Sequence, residues 1–180
     1  NLSGTVKMVA TESEPLLVGY FLDQQAVGLY KLALSIVNPL MMPITPFIST
    51  TFPEMTRSVV SKAWGQLRNL LKRVTLISAG WTALVTLVML FAGKWLIKLF
   101  YGSEFVPAYP VTMLLLVGFG VANVFFWNRS LLLSFGKANI PLLVLLAAAV
   151  IKTGLAFWVV PRMGSFGEGL LLTGYLVVST

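Results

Sequence analysis

The chain contains no cysteine and no histidine, and acidic residues are scarce, with six among its 180 residues. The usual thiolate and imidazole ligands of zinc and of haem iron are therefore missing. Neither a Ser-His-Asp nor a Cys-His arrangement of a covalent hydrolase can be assembled. The sequence therefore disfavours an enzyme, and we expect neither a metal ion nor an organic cofactor.

Charge of either sign is also scarce, because 11% of the residues are charged and 57% are hydrophobic. An average soluble domain has about 25% charged residues. The charge lies mostly between apolar stretches, and a helix of about 20 apolar residues crosses the hydrocarbon core of a bilayer. The sequence predicts an all-α integral membrane protein. Four stretches are long enough to cross: 32–53, 74–93, 107–128 and 140–161.

A fifth and a sixth membrane helix are predicted at the two ends of the chain. The first residues resemble no signal peptide, and the last apolar run ends before it is long enough to cross. We therefore expect a membrane domain over 1–180 that is a fragment of a longer protein, with its sixth helix truncated. The predicted helices are 2–22, 31–53, 74–100, 106–132, 138–161 and 166–180.

Lysine and arginine are distributed unevenly between the connections. The connections at 54–73 and 129–139 carry seven of them, whereas the opposite connections carry four. The positive-inside rule places the richer set in the cytoplasm. The net charge of +7 is therefore a topology signal, and we expect no nucleic-acid partner.

Residues 59–73 show a separate pattern, with apolar residues at helical spacing and basic residues mostly on the opposite side. A basic amphipathic helix with Trp64 on its apolar face can lie among lipid headgroups and attract anionic lipid. The alternative is a plain topological anchor that leads into the next membrane helix.

The predicted helix 31–53 is unusual because Pro39, Pro43 and Pro46 lie within eight residues. Each proline removes one backbone hydrogen bond, and the freed carbonyl needs a partner inside protein or water. We expect a bent helix that lines a cavity, with Asn38 among the polar groups on one side. The bend is either a gating element or a static kink.

Polar residues at membrane depth are costly and usually face an interior. Lys152 lies near the middle of its predicted helix beside small alanines, Asn123 lies in the preceding helix, and Arg129 lies near that helix's cytoplasmic end. Lys152 either faces a substrate cavity or pairs with a carboxylate for folding. For Arg129 the simpler interpretation is that it extends to the membrane interface.

Several short motifs follow one another along the chain: Glu14-Pro-Leu-Leu-Val-Gly19-Tyr-Phe, Val27-Gly28-Leu29-Tyr30, Phe52-Pro53-Glu54-Met55, Leu99-Phe100-Tyr101-Gly102-Ser-Glu-Phe105-Val-Pro-Ala108, Leu132-Leu133-Ser134-Phe135-Gly136-Lys137 and Met163-Gly164-Ser-Phe-Gly167. In this order they resemble polysaccharide-biosynthesis membrane proteins and in particular the C-terminal half of a Wzx-like O-antigen or polysaccharide flippase. That superfamily also holds the multidrug antiporters and the lipid II flippases. The chain departs from the pattern in carrying Glu14 where members often have Asp.

The resemblance implies a twelve-helix transporter of the cytoplasmic membrane, built from two six-helix lobes around a cavity that opens alternately to each side. Its implied partners are membrane lipid, the missing N-terminal lobe and an undecaprenyl-pyrophosphate-linked oligosaccharide, which it moves without covalent change. An anionic headgroup favours cations and amides, so the candidate cavity residues are Lys152, Asn123, Arg129, Asn38 and Glu14.

Three alternatives remain open at this point. A cation-coupled multidrug antiporter of the same superfamily would have an acidic and aromatic cavity, whereas this chain offers Lys152 at mid-membrane. A membrane glycosyltransferase or ligase of the same pathway normally carries a sizeable extramembrane loop, and the longest connection here has about twenty residues. A purely structural membrane subunit is the third alternative.

Overall fold

The computed structural model describes residue 19 and residues 23–42, 45–137 and 139–180. These residues form α-helices joined by short connections, and no strand occurs among them. The predicted all-α class is therefore confirmed. The helices are α1 (Gln24–Met41), α2 (Thr45–Val60), α3 (Trp64–Tyr101), a 3-10 helix (Ser103–Ala108), α4 (Tyr109–Val124), α5 (Trp127–Ser134) and α6 (Asn139–Ser179).

Two helices, α1 and α2, occupy the region where the sequence predicts one helix over 31–53. The N-terminus of α1 is capped by Asp23, whose Oδ1 accepts a hydrogen bond from the Ala26 amide at 2.9 Å, so α1 begins earlier than predicted. The helix α2 continues past Pro53 to Val60. The helix therefore extends beyond Pro53, where the sequence predicts its end. Pro43 and Glu14 lie outside the described residues.

The predicted connector 59–73 is divided between two helices. A tight turn separates α2 from α3, and Lys62 takes a positive φ of 54° within it. The helix α3 begins at Trp64 and continues for 38 residues without interruption. The basic residues 68–73 therefore belong to the first turns of a long membrane helix and not to a separate helix on the membrane surface.

One face of α3 is buried and the opposite face is exposed and apolar. The buried positions recur every four or seven residues, as expected for one stripe of a helix. On the other face, large side chains such as Phe91 (85% exposed) and Trp95 (62%) have no protein cover. An apolar surface of this extent suits lipid or another membrane helix. The buried positions are Leu67, Val74, Ser78, Val85, Met89, Gly93 and Ile97.

The predicted helix 106–132 is also divided, into the end of the 3-10 helix, α4 and α5. The break between α4 and α5 falls at Phe125, where φ is −104° and ψ is 19°. Phe125, Phe126 and Trp127 form an aromatic run of modest helix propensity. The indole Nε1 of Trp127 donates to Thr75 Oγ1 of α3 at 2.9 Å, which fixes the start of α5.

The element α6 contains two helices that meet at Gly164, whose φ of 64° and ψ of −149° are not helical. This region of backbone space is open essentially to glycine alone. The chain reverses there, since a Cβ atom at Gly167 would lie 3.0 Å from Cγ1 of Val159, eight residues earlier in the chain. The two parts of α6 correspond to the predicted helices 138–161 and 166–180.

The helices pack around one apolar core with contributions from α1, α3, α4 and both parts of α6. Both basic connections lie at one end of this bundle, where the Trp64 and Phe135 rings stack with centroids 6.2 Å apart. Thr56 and Ser134 share a hydrogen bond of 3.1 Å at the same end. The core residues are Tyr30, Ala33, Val37, Val85, Met89, Val111, Leu115, Leu116, Leu145, Ala148, Leu172, Tyr175 and Leu176.

Candidate functional site

A buried ion pair lies between the two parts of α6. Lys152 Nζ is 3.2 Å from Glu168 Oε1, and the two side chains are 4% and 0% exposed. Among the described residues they are the two charged side chains that are buried. Removing two charges from water is expensive, and their mutual attraction offsets that cost only when the geometry is good. The contact therefore needs a precise packing of the two parts of α6.

The reversal at Gly164 brings the two charges together. In a straight helix, residues sixteen positions apart would be separated by about 24 Å. After the reversal, Tyr175 lies at the level of Lys152, with the ammonium 5.8 Å from the ring centroid. The aliphatic stem of Lys152 then extends from that level toward Glu168. The Lys152 ammonium thus lies near a carboxylate and the face of an aromatic ring, and both groups attract a cation.

Asn123 forms a second polar contact inside the bundle. Its amide Nδ2 donates to Thr82 Oγ1 of α3 at 3.1 Å. Together with the bond between Trp127 and Thr75, this contact joins α3 to the region around the end of α4. Both bonds use side chains whose polar atoms would otherwise be exposed to hydrocarbon. The arrangement fixes these helices and offers little free polar surface to a ligand.

Two glycines let α4 approach both of its neighbours closely. A Cβ atom at Gly118 would lie 2.7 Å from the Thr173 Cα, and one at Gly120 would lie 2.8 Å from Thr82 Cγ2. Thr173 also donates to the carbonyl of Leu114 at 3.0 Å. Small residues at contacts are the usual means by which membrane helices pack without a hydrophobic driving force. α3, α4 and the second part of α6 therefore form a tightly packed unit.

The predicted cavity residues do not form one cluster in this structure. Lys152 and Asn123 are buried and contact Glu168 and Thr82 respectively. Asn38 is exposed near the end of α1, and Arg129 is half-buried in α5. The kink residues Pro39 and Pro46 are exposed in α1 and α2. Accessibility to a ligand therefore differs among the candidates, and their roles as substrate contacts stay predictions.

Sequence reasoning missed three residues of the site: Glu168, Tyr175 and Thr82. A signal was present, because Glu168 begins an apolar run that itself was predicted to enter the membrane. No group of three or more Cys, His, Asp or Glu side chains that could hold a metal ion occurs within the described ranges.

The described part of the chain has three helical segments long and apolar enough to cross a membrane. One of them is α6, which includes the reversal at Gly164. Together with the exposed apolar faces, these segments define a multi-pass membrane protein of all-α architecture. The three segments are Trp64–Tyr101, Ser103–Ser134 and Asn139–Ser179.

Within that class, the chain matches the model of a protein family described as polysaccharide biosynthesis protein. The match covers residues 1–110, which is more than half of the chain. The chain belongs to this family and acts in polysaccharide synthesis or export. No curated protein and no solved structure matches it. The matched part ends shortly after the start of α4, so the ion pair of α6 lies beyond it.

Proposed function

We propose that the protein translocates a lipid-linked oligosaccharide, undecaprenyl-pyrophosphate-linked, across the cytoplasmic membrane for the assembly of a surface polysaccharide such as O-antigen. The family match over residues 1–110 carries this proposal. Polysaccharide assembly needs a step that moves a polar glycan through hydrocarbon, and an all-helical multi-pass protein is a suitable architecture for such a step.

The packing is consistent with a transporter that moves in rigid parts. The close contacts of Gly118 and Gly120 hold α4 against both of its neighbours. α1 and α2, in contrast, have Pro39 and Pro53 inside them. A rigid unit beside proline-containing helices is a suitable arrangement for alternating access, in which motion concentrates where backbone hydrogen bonds are missing.

The substrate contacts we propose are cations and amides that a pyrophosphate-sugar headgroup can bind. In this structure Asn38 is exposed and Arg129 is half-buried, so a ligand could reach both from a cavity. Lys152 is held by Glu168 and would need a change of partner before it could bind an anion. We therefore propose Asn38 and Arg129 as the headgroup contacts in this conformation. Glu14 remains a proposed cavity residue outside the described range.

Reconstitution tests this proposal. The intact purified protein is reconstituted into proteoliposomes that contain a fluorescent lipid-linked oligosaccharide. Exposure of the glycan on the outer leaflet is followed with a membrane-impermeant glycan-modifying reagent. We expect the exposed fraction to rise above the fraction in protein-free liposomes. Arg129→Ala should slow the movement, whereas Arg57→Ala, a matched change of an exposed arginine at the same end of the bundle, should not.

Mass spectrometry of the recovered lipid separates the alternatives. A transporter leaves the mass of the lipid-linked oligosaccharide unchanged, whereas a membrane glycosyltransferase or ligase alters it. Movement of cationic drugs driven by an imposed cation gradient, without movement of the glycolipid, would identify a multidrug antiporter. No movement of either class of molecule would contradict a transport function and favour a structural subunit.

A further inference from the structure

An apolar groove of about 530 Å³ lies between α3 and α4. Small-ligand clefts typically enclose about 300–1,000 Å³. The groove is open along one side, and its lining includes the small residues Ala79, Ala83 and Gly120. Its other lining residues are Thr82, Thr86, Leu87, Leu116, Val117, Val121, Val124 and Phe125.

One of the two threonines that line this groove already has a hydrogen-bond partner. The hydroxyl oxygen of Thr82 accepts a hydrogen bond from the Asn123 side-chain amide, and this bond joins α3 to α4. The remaining lining is nearly all hydrocarbon. A sugar or a peptide backbone would lose hydrogen bonds to water on entering such a groove and would gain few in return. The lining therefore favours a hydrocarbon chain.

The same face of α3 becomes cationic beyond one end of the groove. Counting from Arg68, the positions 72, 75, 79, 82 and 86 follow at intervals of three or four residues, so they share one face of the helix. Arg68 and Lys72 are both exposed. Thr75, between these cations and the groove, accepts the hydrogen bond of the Trp127 indole. Tryptophan is enriched at the level of lipid headgroups.

The vertical spacing matches the layers of a bilayer. Lys72 lies seven residues before Ala79, which is about 10 Å along the helix. The headgroup layer is about 5–8 Å thick on each side of the hydrocarbon core. When the groove lies in hydrocarbon, Trp127 therefore lies at the interface, and Lys72 lies among the phosphates with Arg68 beyond it.

From this arrangement we infer that the face of α3 from Arg68 to Thr86 is a binding site for an anionic phospholipid. One acyl chain lies in the groove, and the phosphate headgroup contacts Lys72 and Arg68. Charge complementarity favours an anionic lipid over other apolar ligands. A neutral hydrocarbon ligand or an apolar helix would leave Lys72 and Arg68 without an anionic group to contact. The inference does not depend on the identity of the transported substrate.

Lipid selectivity of the intact purified protein tests this site. Native mass spectrometry would compare retention of phosphatidylglycerol and of phosphatidylcholine with identical acyl chains. Two cations near a headgroup predict a preference for phosphatidylglycerol on the order of tenfold. The double variant R68Q/K72Q should reduce this preference to near unity. The control R57Q/K62Q removes the same number of charges at the same end of the bundle and should keep the preference.

A second pair of variants tests the groove itself. Ala83→Phe fills the groove, whereas Leu84→Phe enlarges an exposed apolar side chain that does not line it. We expect Ala83→Phe to reduce retention of phosphatidylglycerol severalfold and Leu84→Phe to leave it unchanged. Equal retention of the two lipids by the unmodified protein would overturn the inference. An equal loss of preference in R68Q/K72Q and R57Q/K62Q would also overturn it. A change in oligomeric state with Ala83→Phe would overturn it as well, because the groove would then hold another copy of the chain.

Discussion

Lys152 and Glu168 are sixteen residues apart within α6, yet Nζ of the first lies 3.2 Å from Oε1 of the second. The contact depends on the reversal at Gly164, and it is buried on every side. Three features of the chain are thus joined in one place: a buried cation, an acid near a helix start, and a glycine with a backbone conformation that other residues avoid.

Removal of Lys152 should reduce the amount of folded protein, because Lys152→Ala leaves Glu168 buried without its cation. Breaking a buried pair typically costs about 3–5 kcal/mol. The double variant K152M/E168L replaces both charges with apolar groups and should restore much of the stability. Abundance in the membrane and thermal stability in detergent measure the effect. Lys137→Ala, which removes an exposed lysine, is the control and should match the unmodified protein.

If Lys152→Ala were abundant and stable yet inactive in transport, the pair would have a role in the transport cycle and not mainly in folding. Lys152→Arg should then keep part of the activity, because the charge persists while its shape changes. Normal abundance together with normal activity would contradict both roles.

Gly164→Ala should destabilise the hairpin of α6. The residue has φ of 64° and ψ of −149°, and a side chain held in that region costs on the order of 1–3 kcal/mol. The thermal midpoint of the purified protein should therefore fall. Gly154→Ala is the matched control, because a Cβ at position 154 meets nothing within 4 Å and alanine favours a helix. An equal fall in the two variants would contradict the strained reversal.

Gly118→Ala should loosen the contact between α4 and the second part of α6. A Cβ at this position would lie 2.7 Å from the backbone Cα of Thr173, and a backbone atom cannot rotate away. Overpacking of this kind typically costs about 1–3 kcal/mol. Loss of the hydrogen bond from Thr173 to Leu114 should accompany it. Protease resistance of the purified protein checks the result, and resistance equal to that of Gly154→Ala would contradict it.

The topology can be tested with single cysteines at Ser61 and Ser103, in a background without other cysteines. Both positions are exposed, and the 38 residues of α3 separate them. A membrane-impermeant thiol reagent added to whole cells should label Ser103→Cys and should label Ser61→Cys only after the membrane is opened. Labelling of both from the same side would contradict the orientation derived from the basic residues.

The sequence predicted the membrane class, because hydropathy over about twenty residues depends on local composition alone. It also predicted that Lys152 faces an interior, and Lys152 is buried, whereas its depth in the membrane stays a prediction. The division at Phe125 was harder to predict. Proline and aromatic residues lower helix propensity, but tertiary contacts such as the one between Trp127 and Thr75 decide where a helix stops.

The partner of Lys152 could not be found from local pattern. Glu168 lies next to a connection in the sequence, and its position opposite Lys152 depends on the angle of the reversal at Gly164. The roles of Gly118 and Gly120 are likewise long-range, because each depends on which helix lies across from α4. Pairwise packing in a membrane is set by close approach of backbones, and a single sequence contains that information only indirectly.

The hairpin of α6 bears on how the chain enters the membrane during synthesis. An isolated lysine at the centre of a bilayer costs on the order of 3 kcal/mol by insertion scales. The segment with Lys152 emerges from the ribosome before Glu168 has been made. Passage of the first part of α6 alone would expose that charge to lipid, whereas passage of both parts together would deliver the two charges already paired. A chain that stops before Glu168 would therefore retain its other membrane segments but would insert the segment around Lys152 poorly.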